Sequence, residues 1–186
     1  AYHNSDGFWF EGKVYLILGS SLGTSTNINL TAADYSFLGE SFDDYAGTSV
    51  SAAGDVDGDG LGDFVIGAPA DTPIPDQTGR AYLILGSSLG ASTNLNLASA
   101  DYRFVGAYWG DLVGHSVSSA GDVDGDGLDD LLIGGPGVGS GGNQNPGWIG
   151  TESGTAYLIL GRDLGASSTL NLSLADYRFM GENSSD

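Results

Sequence analysis

Asp55, Asp57, Asp59 and Asp63 stand at positions 1, 3, 5 and 9 of one short segment with Gly60 at position 6, and Asp122, Asp124, Asp126 and Asp130 repeat that spacing around Gly127. Alternating aspartates on a tightly turned loop point carboxylates inward, and glycine at position 6 permits the bend. Calcium needs six to eight oxygen ligands at short range. Leu61 and Leu128, at position 7, are placed to add backbone carbonyls. The spacing therefore predicts two calcium sites: Asp55, Asp57, Asp59, Leu61 and Asp63 in one, Asp122, Asp124, Asp126, Leu128 and Asp130 in the other. Without a cation, converging carboxylates would repel one another. A helix-loop-helix calcium hand would need a bidentate glutamate at position 12, where this chain has Ile66 and Ile133 inside apolar runs. Magnesium, with its smaller octahedral shell and retained waters, suits the loop less well.

The elements that hold these loops repeat with them. Val14-Tyr-Leu-Ile-Leu-Gly19 returns as Ala81-Tyr-Leu-Ile-Leu-Gly86 and Ala156-Tyr-Leu-Ile-Leu-Gly161, at spacings of 67 and 75 residues. Asp34-Tyr-Ser-Phe-Leu-Gly39, Asp101-Tyr-Arg-Phe-Val-Gly106 and Asp176-Tyr-Arg-Phe-Met-Gly181 follow at the same spacings. Each unit reads as four strands. The first, Thr48 to Ala52 or His115 to Ser119, alternates valine with small polar residues and leads into the aspartate loop. The second, Phe64 to Gly67 or Leu131 to Gly134, and the third, Ala81 to Leu85 or Ala156 to Leu160, are apolar runs suited to burial on both faces. The fourth lies around Tyr35 to Leu38, Tyr102 to Val105 and Tyr177 to Met180. Before it, Ile28 and Leu30, Leu95 and Leu97, and Leu170 and Leu172 alternate with polar residues in a connection expected to tuck under the blade's outer edge.

Repeated four-stranded units with two apolar faces stack on one another, and radial stacking makes a propeller. The fold class expected is all-β, with β-propeller blades of four antiparallel strands, about two and a half in number. Residues 1–40 form the second half of a blade, 41–107 a complete blade, and 108–186 a complete blade with a longer loop. Propellers close with about four to eight blades, so the expectation is a portion of a longer polypeptide, with oligomerisation as the alternative.

Composition narrows the partners. With 5 Lys+Arg against 24 Asp+Glu, the formal charge of −19 disfavours nucleic acid and anionic membrane surfaces and favours cations. No cysteine is present, so neither disulfides nor thiolate metal sites form. No stretch approaches the roughly 20 apolar residues of a membrane helix.

The run from Gly47 through the Asp55 loop to Gly67-Ala-Pro69, followed by the Gly79-Arg-Ala-Tyr82 strand, resembles an FG-GAP repeat of the integrin α-subunit type, and His115 to Pro136 is its second copy. That resemblance implies an integrin-like propeller, calcium on the aspartates named above, and adhesion or extracellular ligand binding. It also admits a propeller joined to a secreted hydrolase, or a structural part of an extracellular assembly. The Phe-Gly that names the motif is Ala46-Gly47 in one copy and Val113-Gly114 in the other, a change expected to alter packing at the blade junction.

The remaining candidates have plainer readings. His3 and His115 lie in no metal-ligand or Ser/His/Asp spacing, and no nucleophile-base arrangement occurs, so no catalytic residue is assigned. Tyr15, Tyr82 and Tyr157 recur at one strand position and fit interblade packing; Arg103 and Arg178 fit ion pairs. Trp9 and Trp148 stand on the loops that differ most between copies, with Phe8 and Phe10 beside the former. Such loops carry specificity on repeated scaffolds, so these aromatics are either contacts to a protein or glycan ligand or caps of the propeller face.

Overall fold

A computed structural model of the chain describes residues 11–23, 27–41, 43–69, 78–107, 110–137, 154–165 and 167–182. His3, Phe8, Trp9, Phe10 and Trp148 lie outside them. The strands are β1 (Lys13–Leu16), β2 (Tyr35–Leu38), β3 (Ser49–Gly54), β4 (Asp63–Ala68), β5 (Arg80–Ile84), β6 (Asn94–Asn96), β7 (Tyr102–Val105), β8 (Ser116–Gly121), β9 (Asp130–Gly135), β10 (Thr155–Ile159), β11 (Thr169–Asn171) and β12 (Tyr177–Met180). Short 3-10 turns are the only helical elements among the described residues, and none is long and apolar enough to cross a membrane.

Two sheets carry the four-strand unit. β3-β4-β5-β7 and β8-β9-β10-β12 are antiparallel throughout, and β1-β2 matches their outer half. The chain is thus an all-β stack of partial propeller blades. In the central sheet Val65, Leu83 and Phe104 face the last sheet, while Ile66, Tyr82 and Ile84 face the first. Continuous apolar runs bury both faces because alternate residues serve different neighbours. The named Phe-Gly positions lie at these junctions: Ala46 is buried in one core and Val113 in the other. The junctions are close enough that a Cβ on Gly67 would collide with the Gly114 carbonyl.

The connection before the fourth strand departs from the expectation. Instead of tucking beneath its own blade, β6 pairs parallel with β2, and β11 pairs parallel with β7, so each joins the edge of the preceding sheet. Asn96 and Asn171 then cap the next turns, their Oδ1 atoms accepting from the Ala98 and Ser173 N–H groups at 2.8 and 2.9 Å. This places Leu97 and Leu172 in the junction cores. The aspartate that opens each Asp-Tyr-x-Phe run has a structural task as well. Asp34, Asp101 and Asp176 accept the N–H of Leu18, Leu85 and Leu160 at 2.7, 2.8 and 3.0 Å, fixing the turn after the third strand.

Candidate metal centres

Each aspartate loop joins the first strand of a complete unit to the second, β3 to β4 or β8 to β9. A bulge interrupts the ladder just before the loop, between Ala52 and Gly54 and between Ser119 and Gly121. The loop then coils around its own first carboxylate. Asp55 Oδ1 accepts from the Gly58 and Asp59 N–H groups at 2.8 and 3.1 Å, and its Oδ2 from Gly60 at 2.9 Å. Asp122 does the same with Gly125, Asp126 and Gly127 at 2.7, 3.0 and 2.9 Å. Gly60 and Gly127 take φ of +84° and +95°, a conformation that disfavours any residue with a Cβ.

Position 9 opens the second strand and is buried in both copies. Asp63 receives the Val56 N–H at 2.9 Å and the Gly86 N–H at 2.8 Å; Asp130 receives Val123 at 2.8 Å and Gly161 at 2.9 Å. Burial pushes the Asp63 carboxyl up; the Gly86 and Val56 amides oppose this, and the charges of Asp57 and Asp59 reinforce it. Neighbouring negative charge without a counter-ion is an unfavourable arrangement that a cation would relieve.

The structure brings together Asp55, Asp57 and Asp63 in one group and Asp122, Asp124 and Asp130 in the other, with one oxygen of each within 4.8 Å of its companions. An ion holding oxygens at about 2.4 Å can bridge such a span, and a carboxylate oxygen with one amide donor keeps a second lone pair for ligation. The donor set, all oxygen and mostly charged, fits a hard divalent cation. Asp59 and Asp126 are not in these groups. Their Oδ1 atoms instead accept the N–H of Leu61 and Leu128 at 2.7 and 2.9 Å, closing the turn at the residues expected to offer carbonyls.

The two loops touch. Asp129, between Leu128 and Asp130, accepts the Asp55 N–H on its Oδ2 at 2.9 Å and donates its own N–H to the Asp55 carbonyl at 3.0 Å. Sequence reading passed over Asp129 because the matching residue of the other loop is Gly62. It also passed over Arg162, whose Nη1 pairs with Asp124 Oδ2.

Elsewhere, the expected surroundings of Tyr82, Tyr157 and Arg103 are present. Tyr82 and Tyr157 are buried between sheets. Arg103 pairs with Glu40 at 2.6 Å, and Arg80 with the buried Asp44 at 3.2 Å. The Tyr82 hydroxyl donates to Glu40 at 2.9 Å. Burial raises the Glu40 carboxyl, but the Arg103 and Tyr82 hydrogen bonds and the nearby arginine charges outweigh it and leave the group below its ordinary range. Burial raises Asp44, and burial together with the Asp44 and Glu40 charges pushes the Tyr82 hydroxyl up. His115 is exposed.

The FG-GAP repeat family matches residues 46–84 and 113–159, each match running from the buried junction residue through the aspartate loop into the third strand. The chain carries two FG-GAP repeats. Integrin alpha-4 of Xenopus laevis is 28% identical over 141 residues, 76% of this chain and 12% of that protein. Integrin alpha-5 of Xenopus laevis is 37% identical over 111 residues, 55% of this chain and 10% of its own length. Phosphatidylinositol-glycan-specific phospholipase D of Rattus norvegicus is 33% identical over 129 residues, 68% of this chain and 14% of its length. The FG-GAP chain spans at most 14% of these three relatives.

Proposed function

We propose that this FG-GAP chain is a calcium-stabilised part of an extracellular β-propeller that binds a protein or glycan ligand in adhesion, and that it carries no catalytic centre. The observation that carries this reading is the pair of three-carboxylate groups held at matching hairpins. Calcium at each group, completed by Asp59 or Asp126 and the Leu61 or Leu128 carbonyl, would tie the first and second strands together and offset the carboxylate repulsion. Two ions would bring the formal charge from −19 to about −15, leaving the surface acidic. The similarity to integrin alpha chains supports the ligand-binding role. The phospholipase D relative supports a second reading, in which the blades are the non-catalytic portion of a secreted hydrolase.

Calcium at about ten times its dissociation constant would add about 1.4 kcal/mol per site. Thermal melts of metal-loaded chain before and after exhaustive chelation test the role. The expected result is a drop of roughly 5–10 °C, restored by calcium; an unchanged melt overturns it.

A further inference from the structure

The two loops share their ligand spacing, yet their surroundings differ at the turn that follows the third strand. Gly86 and Gly161 play one part there, each giving its N–H to the position-9 aspartate at 2.8 and 2.9 Å. The next residue is Ser87 in the first unit and Arg162 in the second. Arg162 reaches across that turn so that its Nη1 pairs with Oδ2 of Asp124, one of the three grouped carboxylates, while its Nε lies 3.5 Å from Asp163 Oδ2.

We propose that Arg162 is an affinity-determining residue of the second loop, making it the weaker of two unequal calcium sites; this rests on the calcium reading above. The guanidinium occupies an oxygen of Asp124 that an ion would share, and its fixed positive charge stands beside the position of a dication. Like charges a few ångströms apart in a partly solvated setting disfavour each other on the scale of a severalfold change in binding. Asp129 and Asp163 add negative charge near the second loop, but Asp129 is bonded to the Asp55 N–H between the loops and Asp163 lies on the Nε side of Arg162, so neither frees the Asp124 oxygen that Nη1 holds. A cation entering the second loop must share Asp124 with Arg162 or displace it. The first unit has the uncharged Ser87 at the matching position, and the sites therefore fill in order.

Calorimetric titration of the 186-residue chain with calcium chloride at low ionic strength tests this. The expected isotherm has two unequal sites, and Asp57→Ala removes the tighter one. In both the wild-type and Asp57→Ala backgrounds, Arg162→Ser tightens the weaker site by about three- to tenfold. Arg162→Gln, which keeps most of the stem, does the same, and Arg162→Lys restores weak binding. In about 0.5 M salt the difference shrinks, because screening acts on an exposed charge. Equal sites in the wild type, or a weaker site unmoved by both neutral variants, overturn the proposal while leaving calcium binding intact. Absence of calcium binding by any variant overturns the calcium reading and this proposal together.

Discussion

The central sheet packs on each neighbour through an apolar core, and the junction with the sheet before it adds the Arg80–Asp44 and Arg103–Glu40 ion pairs, although both junctions are built from the same repeat. At the first junction Glu40, Asp44, Arg80, Arg103 and Tyr82 form a partly buried network around a core of Phe37, Ile66, Tyr82 and Leu97. At the second, Ala107 and Thr155 stand where Glu40 and Arg80 stand in the first, and Tyr157 bonds to Asp111 at 3.3 Å. The core there includes Val56, Leu83, Phe104, Leu131, Ile133 and Ile159. The difference teaches that the repeat fixes the shape of a junction and leaves its chemistry free. The last sheet shows the same face uncovered: Val123 is 52% exposed where its counterpart Val56 is fully buried, and Phe179 is 55% exposed where Phe104 is fully buried.

The largest effect should come from the residue that is the same in both units. Asp63→Ala and Asp130→Ala each strip acceptors from two backbone amides, so each should cost about 2–4 kcal/mol in denaturant melts with calcium or with chelator. Asp57→Ala leaves no comparable pair of orphaned donors, and its cost should vanish once calcium is removed. Equal costs for Asp57→Ala and Asp63→Ala in chelator would mean that position 9 does no more for the backbone than position 3.

Next in size is the charged junction. Glu40→Ala, which copies the second junction into the first, should cost about 1–2 kcal/mol at pH 7. Its carboxyl titrates below the free value when folded, so its contribution is complete above the free glutamate range near pH 4.3 and is lost as pH falls through the lowered folded value. Asp44 acts with the opposite sign, since burial raises it and ionisation costs stability above that raised value. The gap between wild type and Glu40→Ala should therefore narrow as pH falls from the free glutamate range through the lowered folded value. A gap that persists at acid pH would mean that the side chain acts by packing alone.

Asp129→Gly makes the second loop match the first at that position and leaves the Asp55 N–H without its acceptor, so a loss of about 1 kcal/mol is expected. Asn96→Ala, which removes the cap of the turn that follows β6, should lose about 0.5–1 kcal/mol. Urea titration resolves both, and a neutral Asp129→Gly would show that the link between loops is incidental.

Much of this was legible in the chain. The four strands fall within a residue or two of their expected bounds, because glycine-bounded apolar runs and Ser/Val alternation are local signals. Asp55, Asp57 and Asp63 and their copies come together as the spacing predicts. Asp59 and Asp126 stand outside those groups, with their Oδ1 atoms on the Leu61 and Leu128 N–H groups. The parallel pairing of β6 and β11 was hidden, since three residues of Asn-Leu-Asn or Thr-Leu-Asn carry too short a pattern to name a partner in another unit. Asp34, Asp101 and Asp176 did leave a signal, recurring in all three copies, but recurrence alone does not name the amide that each accepts. Asp129 and Arg162 left none, because each is a difference between copies and its partner lies on another element.

Anomalous diffraction from calcium-replete crystals tests the central claim most directly. The account predicts one ion about 2.3–2.6 Å from oxygens of Asp55, Asp57 and Asp63, and a second so placed against Asp122, Asp124 and Asp130. Calcium-replete crystals with both acidic turns empty would contradict it.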